Sequence, residues 1–201
     1  MRFSSLVFVK EDTIIYKGIS YRTYELRRNK VLPKNLNIVI LDEDIYVKNI
    51  SYIQSKIDEN FIENIIQTEF GLNQDYLFDY NVKNKQKIVN IFAIKGGKII
   101  SEISKDKERI RVLPFQIYII KKLQKKIRKK CWNLVMEFME SYYYISCANN
   151  KLLSGYVYNE VDILKNNIKD LGINQLYVDK SIIAKFRDLK NVLEINIGES
   201  R

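Results

Sequence analysis

The sequence predicts an α/β protein assembled from α+β lobes, and three observations predict it. Short runs rich in Val, Ile, Tyr and Phe come in adjacent groups joined by polar turns, the pattern of antiparallel strands. Between and after those groups lie segments whose apolar residues recur at helical spacing. The 201 residues are 46% hydrophobic and 12% aromatic, with 7 Gly and 2 Pro. That is enough apolar material for a core and too little glycine and proline for a linker-rich or repeat-rich chain.

Taken in order, SLVFVK (5–10), the turn Glu11-Asp12, TIIYKGI (13–19) and YRTYELRRNKVL (21–32) read as a meander of short strands. After Pro33, NIVI (37–40) and IYVKNI (45–50) flank the acidic turn Leu41-Asp42-Glu43-Asp44. Asp58 is placed to cap a helix on which Phe61, Ile62, Ile65, Ile66 and Phe70 share one face, and Gly71 to end it in the left-handed conformation. LFDYNVK (77–83) and KIVNIFAIK (87–95) return as strands, and Gly96-Gly97 reads as a turn into a further strand, KIISEIS (98–104). The period then changes. Phe115, Ile119, Ile120, Leu123 and Ile127 fall at helical spacing, so 115–130 reads as one amphipathic helix. Its C-terminal half concentrates Lys121, Lys122, Lys125, Lys126, Arg128, Lys129 and Lys130 away from that stripe, where cations suit the negative end of the helix dipole. LVMEFMESYYYISCANNKLLSGYVY (134–158) reads as hairpins, VDILKNNIKDLGI (161–173) as a helix closed by Gly172, and QLYVD (175–179) as a strand. SIIAKFRDLKN (181–191) reads as a third helix and VLEINIG (192–198) as a last strand.

Little in the chain carries catalytic chemistry. There is no histidine, which excludes Ser-His and Cys-His catalysis and His-based zinc sites. Cys131 and Cys147 form no CxxC pair and read as inert reduced thiols. Asp42, Glu43 and Asp44 are explained as a solvated turn more simply than as a cation site, and Asp79 and Asp179 show no partner in the sequence. Gly96-Gly97-Lys98 resembles the end of a phosphate-binding loop, but Phe92 holds the position of the early glycine and Ile99 that of the Ser or Thr. The expectation is a chain without catalytic residues, metal or cofactor, and not an enzyme. No apolar run reaches the ~18–20 residues of a membrane span, and MRFSSLVFVKED is a poor signal peptide, so a cytoplasmic location is expected. The net charge of +10 attracts nucleic acid or an anionic membrane. The basic segment fits an anionic leaflet better, because the only aromatic beside it is Trp132; a solvated helix face is the plain alternative.

With these elements in order, the chain resembles the PilM/GspL group of actin-like scaffolds of type IV pilus and type II secretion assembly. The stretch that carries the resemblance is NIVILDEDIYVKNISYIQSKIDENFIENIIQTEFGLNQDYLFDYNVKNKQKIVNIFAIKGGKIISEI, which looks like that group's inserted lobe. A strand pair ends in a "vyvk.i" step, a helix carries "f..ni...ef", and a "dY.v" strand pairs with "ifaik"; the match at this level is confined to about residues 37–116. The resemblance implies a degenerate, minimal actin-like (ribonuclease-H-like) fold with an inserted α+β lobe. Its lobes would be 1–35 with 115–130, then 36–114, then 131–201.

The resemblance also implies what has been lost. ATP-binding members have an Asp-x-Gly turn near the N-terminus, where this chain has Lys10-Glu11-Asp12. Their second phosphate turn also joins an acid to a glycine, where this chain has Phe138-Met139-Glu140-Ser141. Glycine lets the backbone approach phosphate at positive φ. Nucleotide binding is therefore expected to be absent, and the chain to be a cytoplasmic adaptor peripheral to the inner membrane. Its implied partners are the cytoplasmic tail of a single-pass inner-membrane assembly protein (PilN-like) and the assembly ATPase. The tail would lie in a groove whose implied walls include Tyr80, Phe92, Phe115 and Ile119. A basic nucleic-acid-binding protein of phage or plasmid origin is the alternative.

Overall fold

The computed structural model describes residues 5–22, 25, 32–53, 57–71, 75–173 and 175–198. These divide into two compact units, 1–44 with 108–201, and 45–107. Most of the stretch expected as a strand over 21–32 lies outside the described residues.

The first unit holds two five-stranded sheets built on one plan. In the first sheet, β1 (Ser5–Lys10), β2 (Thr13–Tyr16) and β3 (Ile19–Arg22) form an antiparallel meander. β4 (Asn35–Ile40) then lies parallel to β1, and β8 (Arg109–Pro114) parallel to β4. In the second sheet β9 (Cys131–Phe138), β10 (Ser141–Ala148) and β11 (Lys151–Tyr158) are the meander. There β12 (Leu176–Asp179) runs parallel to β9 and β13 (Val192–Ile195) parallel to β12. The spatial orders are β3-β2-β1-β4-β8 and β11-β10-β9-β12-β13, the same arrangement twice. Central parallel strands are covered on both faces, which is why NLNIVI is nearly continuous in apolar residues, with Leu36, Ile38, Val39 and Ile40 all buried.

Between the sheets in sequence comes a helix, α3 (Phe115–Leu123), numbered after two helices of the second unit. Phe115 is fully buried, 4.7 Å from the ring of Phe138 and 4.4 Å from that of Tyr143, while Phe8 reaches Phe138 at 5.3 Å. One aromatic cluster thus joins the first sheet, the helix and the second sheet. At β11 the helix passes so close that a Cβ on Gly155 would come within 2.9 Å of Gln116 Cγ, so only glycine fits. The outer face of the second sheet is covered by α4 (Val161–Asp170) and a 3₁₀ segment (Lys180–Phe186), burying Val135, Tyr144, Leu164, Val178 and Phe186 together.

The second unit is a three-stranded antiparallel sheet, β5 (Tyr46–Ser51), β7 (Ile88–Lys95) and β6 (Tyr76–Lys83), in the order β5-β7-β6. α1 (Glu59–Phe70) packs across it, with Ile62, Val89 and Ile91 at the centre. Asp58 caps it as expected, accepting from Phe61 N–H at 2.8 Å, and Gly71 ends it at φ 70°.

Four expectations are corrected. The inserted unit runs 45–107 rather than 36–114, because 35–40 pairs with β1 on one side and with 109–114 on the other in the first sheet. Gly96-Gly97 leads into a helix, α2 (Gly97–Ser104), whose buried face is Ile99, Ile100 and Ile103; that spacing is helical. The helix begun at Phe115 stops at Leu123, and 124–130 continues as turns and extended chain. The helix expected over 181–191 is the short 3₁₀ segment at 180–186.

Phe115→Ala should lower the unfolding free energy by roughly 3–5 kcal/mol, the cost of deleting a buried aromatic. Chemical denaturation measures it. A loss below about 1 kcal/mol would contradict this packing, since even a single methylene deleted from a core is felt at that level.

Candidate functional site

Because the two sheets share a plan, the β1–β2 turn and the β9–β10 turn are equivalent hairpin tips. They are also neighbours. The Lys10 ammonium donates to the Met139 carbonyl at 3.1 Å, tying one tip to the other. The same ammonium sits 2.6 Å from a carboxylate oxygen of Asp42, just past the end of β4. The Asp42 carboxylate also accepts from the Tyr143 hydroxyl, and that hydroxyl accepts from the Asp42 backbone N–H at 3.0 Å. Lys10, Asp42 and Tyr143 therefore form one polar cluster linking β1, β4, β9 and β10.

The backbone at this place is unusual. Asp42 has φ 56°, and Met139 and Glu140 have φ 48° and 69°. A two-residue hairpin closed by a type I′ turn needs positive φ at both central positions, which Asn and Gly adopt readily. The neighbouring β10–β11 turn does it with Asn149 and Asn150. The β9–β10 turn does it with Met and Glu, each at a cost of roughly 1–2 kcal/mol in the left-handed region. The turn thus keeps a glycine-like backbone without the glycine.

Burial first, then the hydrogen bond to Asp42 and its negative charge, hold the Tyr143 phenol far above its ordinary pKa. Beside the cluster is a cleft of about 770 Å³ at the ends of β9 and β12, lined by Met136, Glu137, Glu140, Asp179, Lys180 and Asn196 among others. Its carboxylates are partly engaged. Glu137 pairs with Lys185 at 2.8 Å, and Asp179 accepts from the Ser181 hydroxyl and from Ile197 N–H. Three acids against one lysine make a poor lining for a polyphosphate. The other glycine-rich candidate is closed: the Asp75 carbonyl accepts from Gly96 and Gly97 N–H at 2.9 and 2.7 Å, and the Asp75 carboxylate from Lys98 N–H. Among the described residues no group of three or more Cys, Asp or Glu is arranged to hold a metal ion, and no helix is long and apolar enough to cross a membrane.

Of the side chains expected to wall a groove, two lie in the core of the first unit and two on opposite faces of one sheet in the second. Phe115 and Ile119 are both fully buried in the core of the first unit. Tyr80 stands opposite Ile91 in register, on the α1 face of its sheet, whereas Phe92 stands opposite Asp79 and Val47 on the other face. Period two in a strand forces that separation. Tyr80 alone is well exposed, at 45%, over a groove of about 540 Å³ with Ile57, Asp58, Ile62 and Val82. Of the basic residues, Lys121 and Lys122 are helical, and Lys125, Lys126, Arg128, Lys129 and Lys130 follow the helix end. Trp132, the aromatic beside them, is buried. Cys147 is buried as expected, but Cys131 is exposed. The acidic turn is not merely solvated, since Asp42 joins the cluster and Asp44 accepts from Val157 N–H at 2.9 Å.

Two solved structures resemble this chain over nearly all its length. A protein from Bacteroides thetaiotaomicron, described as having an actin-like ATPase fold and unknown function, superposes with TM-score 0.58 at 13% identity, covering 96% of this chain and 91% of that one. The PilM-PilN type IV pilus biogenesis complex matches with TM-score 0.60 at 9% identity, covering 96% and 88%. No protein-family model matches, and no curated protein sequence does. At these identities the likeness establishes the fold: this chain has the actin-like ATPase fold and is PilM-like in architecture.

The neutral Tyr143 phenol stabilises the fold fully below the unfolded tyrosine value of about 10, and that contribution fades as pH rises towards the raised folded value. Stability of the wild type should therefore fall more steeply above about pH 10 than that of Tyr143→Phe. Parallel profiles would show that the hydroxyl is not held as described.

Proposed function

We propose that the chain is a non-catalytic adaptor of type IV pilus or type II secretion assembly, working at the cytoplasmic face of the inner membrane. In this reading it holds the cytoplasmic tail of a single-pass, PilN-like membrane protein and passes that contact to the assembly ATPase. The observation that carries the reading is the Lys10–Asp42–Tyr143 cluster and its bridge to the Met139 carbonyl. Where the resemblance expects acid-and-glycine turns around a phosphate, this chain ties the two turns to each other. The likeness to the PilM-PilN structure supports the choice of partner class at the level of the fold.

The tail-contacting surface in this reading is the groove over α1 and β6, with Tyr80 as its exposed aromatic anchor. A short apolar segment needs a few well-buried anchors more than charge. The test is capture of the cytoplasmic tail of the single-pass membrane protein encoded beside this one. The wild type should retain the tail, and Tyr80→Ala should weaken capture by about 2 kcal/mol without shifting the melting temperature. In the same preparation, calorimetry with ATP and Mg²⁺ should show no heat of binding. Failure to capture the tail, or micromolar affinity for ATP, would refute the adaptor reading.

A further inference from the structure

The ten residues from Lys121 to Lys130 carry seven cations and no acid. The fold anchors this stretch through two buried residues, Leu123 and Ile127, and leaves Lys125, Arg128 and Lys130 exposed around them. Lys126 and Lys129 are fixed by neutral acceptors, the Asn196 carbonyl at 3.0 Å and the side-chain oxygen of Gln175, which leave their charge uncancelled. Five lysines elsewhere, unlike Lys126 and Lys129, are held against acids. Lys10, Lys34, Lys48, Lys165 and Lys185 each have a carboxylate oxygen within 3.0 Å. The crowding works against the charges themselves: burial and then the charge of Lys126 hold the Lys122 ammonium below its ordinary pKa, with Asp179 opposing.

Two elements that bond to the stretch carry exposed leucines a few residues away along the chain. The Lys130 carbonyl accepts from Asn149 N–H at 2.6 Å, which brings up the β10–β11 turn followed by Lys151 and Leu153. Gln175, the partner of Lys129, comes four residues after Leu171. Leu153 and Leu171 are 59% and 56% exposed. An exposed cationic stretch, bonded to elements that carry exposed leucines, has the make-up of a surface that meets anionic lipid headgroups. Single-stranded nucleic acid would ask instead for accessible aromatic faces, and Trp132 is buried.

We infer that this face is a peripheral contact for a bilayer of anionic phospholipid. The contact stands independently of tail capture and uses different residues. Each cation near such a surface strengthens binding roughly fivefold. The test is sedimentation of the full chain with vesicles of phosphatidylcholine alone and of phosphatidylcholine containing phosphatidylglycerol, at rising salt. Binding should require the anionic lipid and fade as salt screens it. The variant Lys125→Gln with Arg128→Gln and Lys130→Gln alters only exposed groups and should bind about a hundredfold more weakly. Lys125→Gln alone should lose about fivefold, which keeps the comparison available if the triple variant melts early. Equal binding to neutral vesicles, no binding at low salt, or undiminished binding by both variants would overturn the inference. So would tighter binding to DNA than to anionic vesicles, with a steep salt dependence.

Discussion

The Lys10 ammonium is held at a point where four strands converge, and much of the first unit is arranged around keeping it there. It satisfies one donor with the Met139 carbonyl on the second sheet and faces the Asp42 carboxylate on the first. Tyr143 closes the arrangement by donating to Asp42 while accepting from its N–H. Asp42 is 14% exposed and Tyr143 is buried, so water competes weakly for these groups. A partly buried carboxylate left without its partners is costly, which makes the cluster cooperative: removing one member strands the others. Two of the positions it joins, Asp42 and Met139, have left-handed backbone, and its bonds help to offset that cost.

Around this point the fold repeats itself. Each sheet offers a hairpin tip from its meander and two parallel strands beyond it. The aromatic cluster of Phe8, Phe115, Phe138 and Tyr143 fills the space between the two copies. Tyr143 belongs to both systems, its ring to the apolar cluster and its hydroxyl to the polar one. An internal ion pair and a ring stack hold the two tips together. In the adaptor reading, what the chain offers partners is an exposed aromatic on the second unit, and the membrane inference adds a cationic stretch on the first.

Local signals in the sequence reached a good part of this. The meanders, the α1 stripe with its Asp58 cap and Gly71 stop, and the strand–turn–strand rhythm of 131–158 were legible because each depends on residues close in the chain. The turn at Met139-Glu140 was legible as a departure from glycine, though not as a turn that keeps glycine's backbone. Where local reading failed, a distant contact decided. NIVI belongs to the first sheet because β1 and β8 flank it, and neither is adjacent to it in sequence. KIISEIS reads as a strand from its apolar content, but its buried isoleucines follow helical spacing, and Asp75, more than twenty residues earlier, accepts from N–H groups at the helix start. Phe115 and Ile119 carry the same apolar stripe whether they face a core or a groove, and only packing separates the two. The cluster itself spans 129 positions from Lys10 to Met139 and 101 from Asp42 to Tyr143. Asp42 in an acidic turn and Tyr143 in an aromatic strand give no sign of each other.

The central claim is that Lys10 and Tyr143 act through Asp42 as one unit. A double-mutant cycle on unfolding free energy, with Lys10→Ala, Tyr143→Phe and the two together, measures that coupling most directly. Neither side chain bonds to the other and both bond to the Asp42 carboxylate, so coupling between the substitutions reports chiefly on that shared partner. The account predicts that the double variant loses less than the sum of the single losses, with a coupling of about 1 kcal/mol or more. Additivity within roughly 0.3–0.5 kcal/mol, the behaviour of independent sites, would contradict it.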